Sequence, residues 1–320
     1  MSVTIYGKFG ITATIIADSI SKAGIRFTTY EIQYPRIILA ELNTHRMNPK
    51  NSASSRAIPA AKMFEQLTGR PVRFGGNQAG MQDNGEHNAL VNGYTAAEWW
   101  RLGMLSMKNF AQAFSEAGFH KQIFNRLTEP FQMMKTVISG TEWNNFFYLR
   151  WDEAADPTIC ELASVMKEAR EASTPQVLEA GQWHLPYVFA EIDSLNGKQS
   201  YFLDDNCDSD SISLDDAIKV SCARTAAVSF RNTDYGLVKC IEVYERLVNS
   251  GKLHGSALEH AATPMKPEAG NKRFPVNVPE NPTTWEDGIS HMDRNYQLWS
   301  GPLRGFIQHR KTVPNENFAG

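Results

Sequence analysis

At 320 residues with 42% apolar content, the chain holds enough hydrophobic material for one large core or two smaller ones, which excludes a disordered or fibrous class. A formal net charge of −3 excludes a polyanion-coating surface, so nucleic acid is not an expected partner and any basic site has to be local. Four cysteines without a CxxC pair, an opening MSVTIYGKFG without signal-peptide character and no apolar run near the roughly 18 residues of a bilayer span predict a cytoplasmic protein with no membrane contact.

Residues 3–6, 11–17 and 25–34 alternate or run apolar in the manner of strands. Pro35 suits the first turn of a short helix carrying Ile37, Ile38, Ala40 and Leu42. The segment Thr44-His45-Arg46-Met47-Asn48-Pro49-Lys50-Asn51-Ser52-Ala53-Ser54-Ser55-Arg56 then packs two guanidinium groups, an imidazole, two amides and three serine hydroxyls into thirteen positions. Arg offers a planar fork and serine a short donor, a mixture that suits a phosphate. In isolation the same residues suit a solvated polar loop; their company elsewhere in the chain decides between the two readings.

Residues 75–93, rich in Gly and Asn, read as a long loop. Thr95 and Glu98 form a capping box for a helix whose Trp99, Trp100, Leu102, Leu105, Phe110 and Phe114 are expected to face a core, with Gly118 as its stop. Asp156-Pro157 opens another helix, apolar at Ile159, Leu162, Val165 and Met166. Six aspartates in residues 203–216 mark a linker rather than a calcium loop, which would need a spaced Gly and a terminal Glu. The expected organisation is therefore a half at 1–203, an acidic linker at 204–216 and a half at 217–320. Ser213 and Asp216 are placed to cap a helix through Ala227, and a further helix over 237–248 stops at Gly251.

His254, Glu259 and His260 do not have the spacing of a zinc H-E-x-x-H site, so no metal is expected. The chain has no G-x-G-x-x-G after a strand, no Walker A and no G-x-S-x-G elbow. His120, His184 and His291 lack motif context and read as structural, and Trp99, Trp100 and Trp143 read as core.

Four blocks together carry a resemblance. The polar segment resembles the signature R-H-R-x-x-S-x-N-E-x-S-x-R of flavin-dependent thymidylate synthases, with His45, Arg46, Asn51, Ser54 and Arg56 at matching places, five of its eight fixed positions. Asn145 to Arg150 resembles that family's N-F-x-x-L-R block, Arg126 with Pro130 its R-x-x-x-P element, and His254 to His260 its H-x-S-x-x-E-H block. That last block is preceded by Cys222-Ala223-Arg224 and Val228-Ser229-Phe230, which belong with it and resemble A-R-V-S-F. The histidine block follows the signature here instead of preceding it, as in the longer, rearranged members associated with bacteriophages.

The resemblance implies an α/β (α+β) fold with an antiparallel sheet packed on long helices, and a homo-oligomer, as a tetramer, with shared active sites. It implies that Ser54, Ser55, Arg56 and Arg126 hold the phosphate of dUMP and that Arg150 meets the pyrimidine, where its positive charge favours the anionic ring and a nucleophilic C5. His45, Arg46, Asn51, Asn145, His254, Ser256 and Glu259 correspond to FAD contacts, and NADPH and methylenetetrahydrofolate are the implied co-substrates. The implied reaction is reductive methylation of dUMP to dTMP. Alternatives are methylation or hydroxymethylation of another pyrimidine deoxynucleotide such as dCMP, and a non-catalytic nucleotide-binding homologue.

A thymidylate synthase of the folate-only type needs an exposed, electropositive cysteine thiolate. Cys160, Cys222 and Cys240 instead sit in helical patterns, and Cys207 lies among aspartates that raise a thiol's pKa. Thr44, Pro49 and Ser52 depart from the signature's first Arg, first Ser and Glu, and Glu41 stands where the family has Gln. Gln308 to Glu316 again follows the R-H-R-x-x-S-x-N-E spacing, either as a second set of contacts or as a solvated basic tail.

Overall fold

The computed structural model describes residues 2–204, 210–230, 235–266, 285–314 and 316. The opening alternation folds into β1 (Thr4–Tyr6), β2 (Thr12–Ser21) and β3 (Arg26–Pro35). Pro35 ends β3, a 3-10 turn over Arg36–Ile38 follows, and α1 (Leu39–Asn43) leads into β4 (Lys50–Ser52). Short α2 (Ala60–Glu65), long α3 (Ala96–Glu116) and α4 (Lys121–Phe124) come next, then β5 (Met133–Gly140), α5 (Asn144–Arg150), α6 (Pro157–Ala172) and β6 (Gln176–Leu178).

Strand order β1-β2-β3-β5-β4 is antiparallel throughout, and β6 adds in parallel to β2. The described chain is thus mixed α and β with an antiparallel main sheet. One sheet face sends Ile11, Ala13, Tyr30, Ile32, Met134 and Ile138 into the largest core, where α6 contributes Ile159, Leu162, Val165 and Met166. Asp156 caps α6 through bonds from the Thr158 and Ile159 amides at 2.8 and 3.2 Å, with Pro157 at the first position, as its sequence predicts.

The opposite face carries Ser19, Phe27, Thr29 and Ser139, all buried, because the C-terminal part of the chain covers it. That cover is built from β7 (Phe189–Ile192), β8 (Gln199–Phe202), α7 (Leu214–Ala227), α8 (Leu237–Asn249), β9 (Ala262–Pro264), β10 (His291–Met292), β11 (Leu298–Ser300), β12 (Leu303–Arg304) and β13 (Phe306–Gln308). Ser213 Oγ caps α7 by accepting from the Asp216 amide at 3.1 Å, while the Asp216 carboxylate accepts from that hydroxyl. A second core gathers Leu185, Tyr201, Ile218, Cys222 and Leu258. Residues 205–209 of the acidic run, including Cys207, lie outside the described residues, as does Asn315.

α3 corrects an expectation. Its ends are as read: the Thr95 and Glu98 side chains and backbones bond reciprocally at 2.7 and 3.2 Å. At its other end the Phe119 amide donates to Phe114 O and the Gly118 amide to Ser115 O, closing a Schellman turn with Gly118 at φ +82° and the Phe114 and Phe119 rings 5.1 Å apart. Its apolar stripe, however, does not enter a core: Trp99, Leu102, Leu105, Phe110 and Phe114 are 36–56% exposed, and Ala111 is the helix's one buried residue. Periodicity reports that one helix face is apolar, not what covers it. Trp99 is accordingly at the surface. Trp100 is half-buried on Phe131 and donates to Gly69 O at 2.9 Å, and Trp143 is 1% exposed within the main core.

Candidate functional site

The polar segment starts where α1 ends. Thr44 Oγ1 donates back to Glu41 O at 2.7 Å and terminates the helix, and Pro49 O accepts from the Ser139 amide at 3.1 Å as β4 joins β5. Pro49 has no donor to give, but at a strand start none is required. Between these points Lys50 Nζ donates to His45 O at 2.5 Å and to Asn48 O at 2.8 Å, so one ammonium gathers the carbonyls of the turn. Burial pushes that ammonium down to about 8, against the opposing field of Glu259.

His45 is 8% exposed, with its ring edge against Phe146 at 4.9 Å. Arg150 closes α5 and donates from Nε to His45 Nε2 at 2.8 Å and from Nη2 to Thr44 Oγ1 at 3.1 Å. Burial, then the Arg150 and Lys50 charges, push His45 down to about 4. The imidazole is therefore neutral near pH 7 and accepts at Nε2, which puts its proton on Nδ1. Residues 105 apart in sequence thus act as one unit, a neutral ring steering a guanidinium. Arg46 and Asn145 are exposed beside this pair in sequence, and Glu41 Oε2 is buried with no hydrogen-bond partner among the described residues.

One strand further on, Asn51 donates to Thr225 O at 2.5 Å and accepts from Ser256 Oγ at 3.2 Å, which ties the signature to the histidine block. Ser256 and His254 are exposed. Glu259 is committed: Arg310 Nη1 donates to it at 2.5 Å while Arg310 Nε donates to Glu316 at 3.0 Å, and Lys311 also pairs with Glu316. The described part of the C-terminal copy is thus packed rather than a solvated tail, with Gln308 1% exposed and bonded to Glu259 O. Arg224, from the A-R-V-S-F-like block, is a brace whose guanidinium donates to the carbonyls of Tyr187, Leu203 and Tyr235.

Past β4 the chain turns outward. Ser54, Arg56 and Ala57 line a surface depression of about 420 Å³ together with His120, Lys121 and Gln122. Lys121 Nζ donates to Ala57 O at 2.9 Å, and Arg126 lies one turn on, donating from Nε to Gln122 O at 3.1 Å. His120 Nδ1 accepts from the Gln122 amide at 3.2 Å, leaving Nε2 to carry its proton. Ser55 faces inward instead: it is 6% exposed and donates to Glu129, a carboxylate that Arg36 also holds at 2.8 Å. Among the described residues, Arg56, Lys121 and Arg126 have no carboxylate partner, so the depression is locally cationic on an acidic protein. Sequence reasoning missed Lys121 as a contributor and left His120 as structural; only their position just upstream of Arg126 pointed toward the site.

Arg46 and Asn145 neighbour the Arg150–His45 pair in sequence, and His254 neighbours Ser256 of the Asn51 link; all four are exposed, and as donors they are the residues that could hold a flavin nucleotide's polar edges and phosphates. Glu259 is not free for that purpose. Burial raises the thiol pKa of Cys160, Cys222 and Cys240. Among the described residues, no group of three or more His, Cys, Asp or Glu gathers to hold a metal, and no helix is long and apolar enough to cross a membrane.

No protein-family model matches the chain, and no curated protein matches it. Among solved structures, a UMP/dUMP methylase, PolB, from Streptomyces cacaoi bound with 5-Br dUMP is similar over 46% of this chain at 15% identity and a TM-score of 0.35. The match spans 65% of that protein, less than two thirds of its length.

Proposed function

We propose that this chain binds a pyrimidine deoxynucleoside monophosphate, dUMP, and methylates its base reductively to dTMP with methylenetetrahydrofolate, FAD and NADPH. The observation that carries the reading is the depression at Ser54, Arg56 and Lys121, cationic and adjoining Arg126, joined through β4 to the Arg150–His45 pair. The four sequence blocks support it independently.

In this reading Ser54, Arg56, Lys121 and Arg126 bind the phosphate, each cation through charge-assisted bonds. Arg150, its Nε and Nη2 already committed to His45 and Thr44, presents its remaining N–H groups to the pyrimidine N3 and O4. A fixed positive charge there lowers the N3 acidity constant's pKa and moves electron density to C5. Neutral His45 orients the guanidinium without repelling it. Arg46, Asn145, His254 and Ser256 would hold FAD, whose reduced form would supply the hydride equivalent the methylation requires. No thiolate is required, in keeping with the raised Cys160, Cys222 and Cys240. The exposed apolar stripe of α3 packs on a second copy of the chain, giving the homo-oligomer.

The test is tritium release from C5-labelled dUMP, against labelled dCMP, with methylenetetrahydrofolate and NADPH supplied to flavin-loaded protein. Release from dUMP is expected; release from dCMP alone reassigns the substrate. Purified protein without flavin absorbance that takes up no added FAD overturns the flavin part of the reading.

A further inference from the structure

Behind the site a line of polar groups crosses the buried face of the main sheet. Ser19 Oγ lies 2.9 Å from His184 Nδ1, His184 Nε2 lies 2.8 Å from Thr29 Oγ1, Thr29 Oγ1 lies 2.7 Å from Ser139 Oγ, and Ser139 Oγ lies 2.7 Å from His260 Nδ1. All five residues are at most 3% exposed. At one end Ser19 and His184 line a cleft of about 600 Å³ that also holds Asp18, Gln176 and Trp183. At the other, His260 Nε2 is buried without a hydrogen-bond partner among the described residues, within electrostatic reach of Lys50. Thr29 and Ser139 are register partners on neighbouring strands, so the line is built into the sheet. The Phe27 ring, 4.2 Å from that of His184, holds the first imidazole in place.

We propose that Ser19, His184, Thr29, Ser139 and His260 form a proton relay through the sheet, joining the cleft at Ser19 to His260 Nε2 behind the candidate site. The proposal goes beyond the nucleotide reading and does not rest on it. Each hydroxyl owns one proton, and each imidazole, kept neutral by burial, owns one. Only two arrangements make all four bonds and leave neither interior hydroxyl proton idle. In the first, Ser19 donates to His184 Nδ1, His184 Nε2–H to Thr29, Thr29 to Ser139 and Ser139 to His260 Nδ1, which makes His260 Nε2–H an outward donor. In the second every bond is reversed, both rings carry their proton on Nδ1, and His260 Nε2 is an outward acceptor.

A transfer converts the first into the second. His260 Nε2 gives up its proton to a water reaching it from the site side, each proton in the line crosses its own hydrogen bond, and Ser19 Oγ takes a replacement from water at the cleft; the hydronium left at one end and the hydroxide left at the other neutralise each other through solvent. Every bond broken to hydrogen is matched by one formed, and no group in the line is left charged. Rotation of the hydroxyls and tautomer exchange at the two rings reset it. His260, at the end of the histidine block, thereby becomes a donor or acceptor whose sense is set at Ser19, on the other side of the sheet.

The test is 15N NMR of the full chain labelled at its histidine ring nitrogens, in wild type and in Thr29→Val, which keeps shape and deletes the central hydroxyl. Wild type is expected to show His184 and His260 neutral at pH 7, protonated on the same-named nitrogen, and exchanging between tautomers at a shared rate. In T29V that shared rate disappears. Rings protonated on different nitrogens, either ring doubly protonated, a single fixed tautomer pair without exchange, or a shared rate surviving in T29V each overturn the relay. Ser19→Ala, which removes the terminal hydroxyl alone, replaces T29V if that variant does not fold, and is read by the same outcomes.

Discussion

The buried imidazoles set the acid limit of this fold. His184 and His260 are 1% and 0% exposed, and burial pushes each down to about 3 from an ordinary 6.5; the Lys50 charge adds to this at His260, and at His184 the like charge His260 would carry once protonated adds to it. Because the folded pKa lies below the unfolded one, the unfolded chain takes up its protons first. Stability from these rings is therefore complete above pH 6.5 and is lost as pH falls from there toward 3. Between pH 7 and pH 5 the linkage comes to about 2 kcal/mol for each ring, or about 4 kcal/mol for the pair, against a typical total of about 5–15. His45 and His309, pushed down to about 4, change stability in the same direction. Urea unfolding followed by tryptophan fluorescence at pH 7, 6 and 5 should show this loss, and His184→Gln, although less stable at pH 7, should lose about 2 kcal/mol less over the same interval. An unchanged pH slope in H184Q, or ring titration of His184 or His260 near 6.5, would refute the reasoning.

Arg150→Ala should lower turnover by about 10²–10³-fold or more with the unfolding midpoint little changed, since its guanidinium acts at the substrate; a near-normal rate removes it from the site. Arg56→Ala and Lys121→Ala should each weaken dUMP binding by about 1.5–3 kcal/mol, roughly tenfold to a hundredfold, read by calorimetry on flavin-loaded protein. Equal affinity in K121A would show that the depression is not the phosphate site. If the proposed homo-oligomer forms through the α3 stripe, Leu105→Glu combined with Phe110→Glu should lower the mass seen in light scattering, because charge there opposes burial; an unchanged mass assigns the stripe another role. Arg310→Ala leaves the Glu259 and Glu316 carboxylates without their shared guanidinium and should lower both thermal stability and flavin occupancy. Unchanged flavin occupancy in both R310A and E316A would confine this segment to scaffolding.

Much of the fold was legible because its signals are local. Alternation from residue 3 to 34, the Asp156-Pro157 start, the Thr95–Glu98 box and the Gly118 stop depend on a few neighbouring backbone groups, and each stands in the structure where the sequence predicts it. The α3 stripe was misjudged since its periodicity is the same whether the apolar face meets a core or the outside. Ser54 and Arg56 were expected to meet a phosphate because they match the signature the segment resembles, whereas Ser55, adjacent and implied by the same resemblance, faces the opposite way and bonds Glu129. Lys121 and His120 carried no motif and join the depression through the fold around Ala57. His184, read as structural, is one of two rings in a line that no spacing announces.

Local chemistry, then, determined the helix starts and stops and the donor-rich character of residues 44–56, while the arginines further along and the histidine block were singled out by resemblance. Tertiary structure alone decided which of them meet. His45 became a neutral acceptor for Arg150 only once burial and a guanidinium from 105 positions away were brought to it. Glu259 became unavailable only once Arg310 arrived. The charge state and hydrogen-bond sense of a side chain depend on its surroundings in space, and the sheet brings those surroundings together from segments that sequence order keeps far apart.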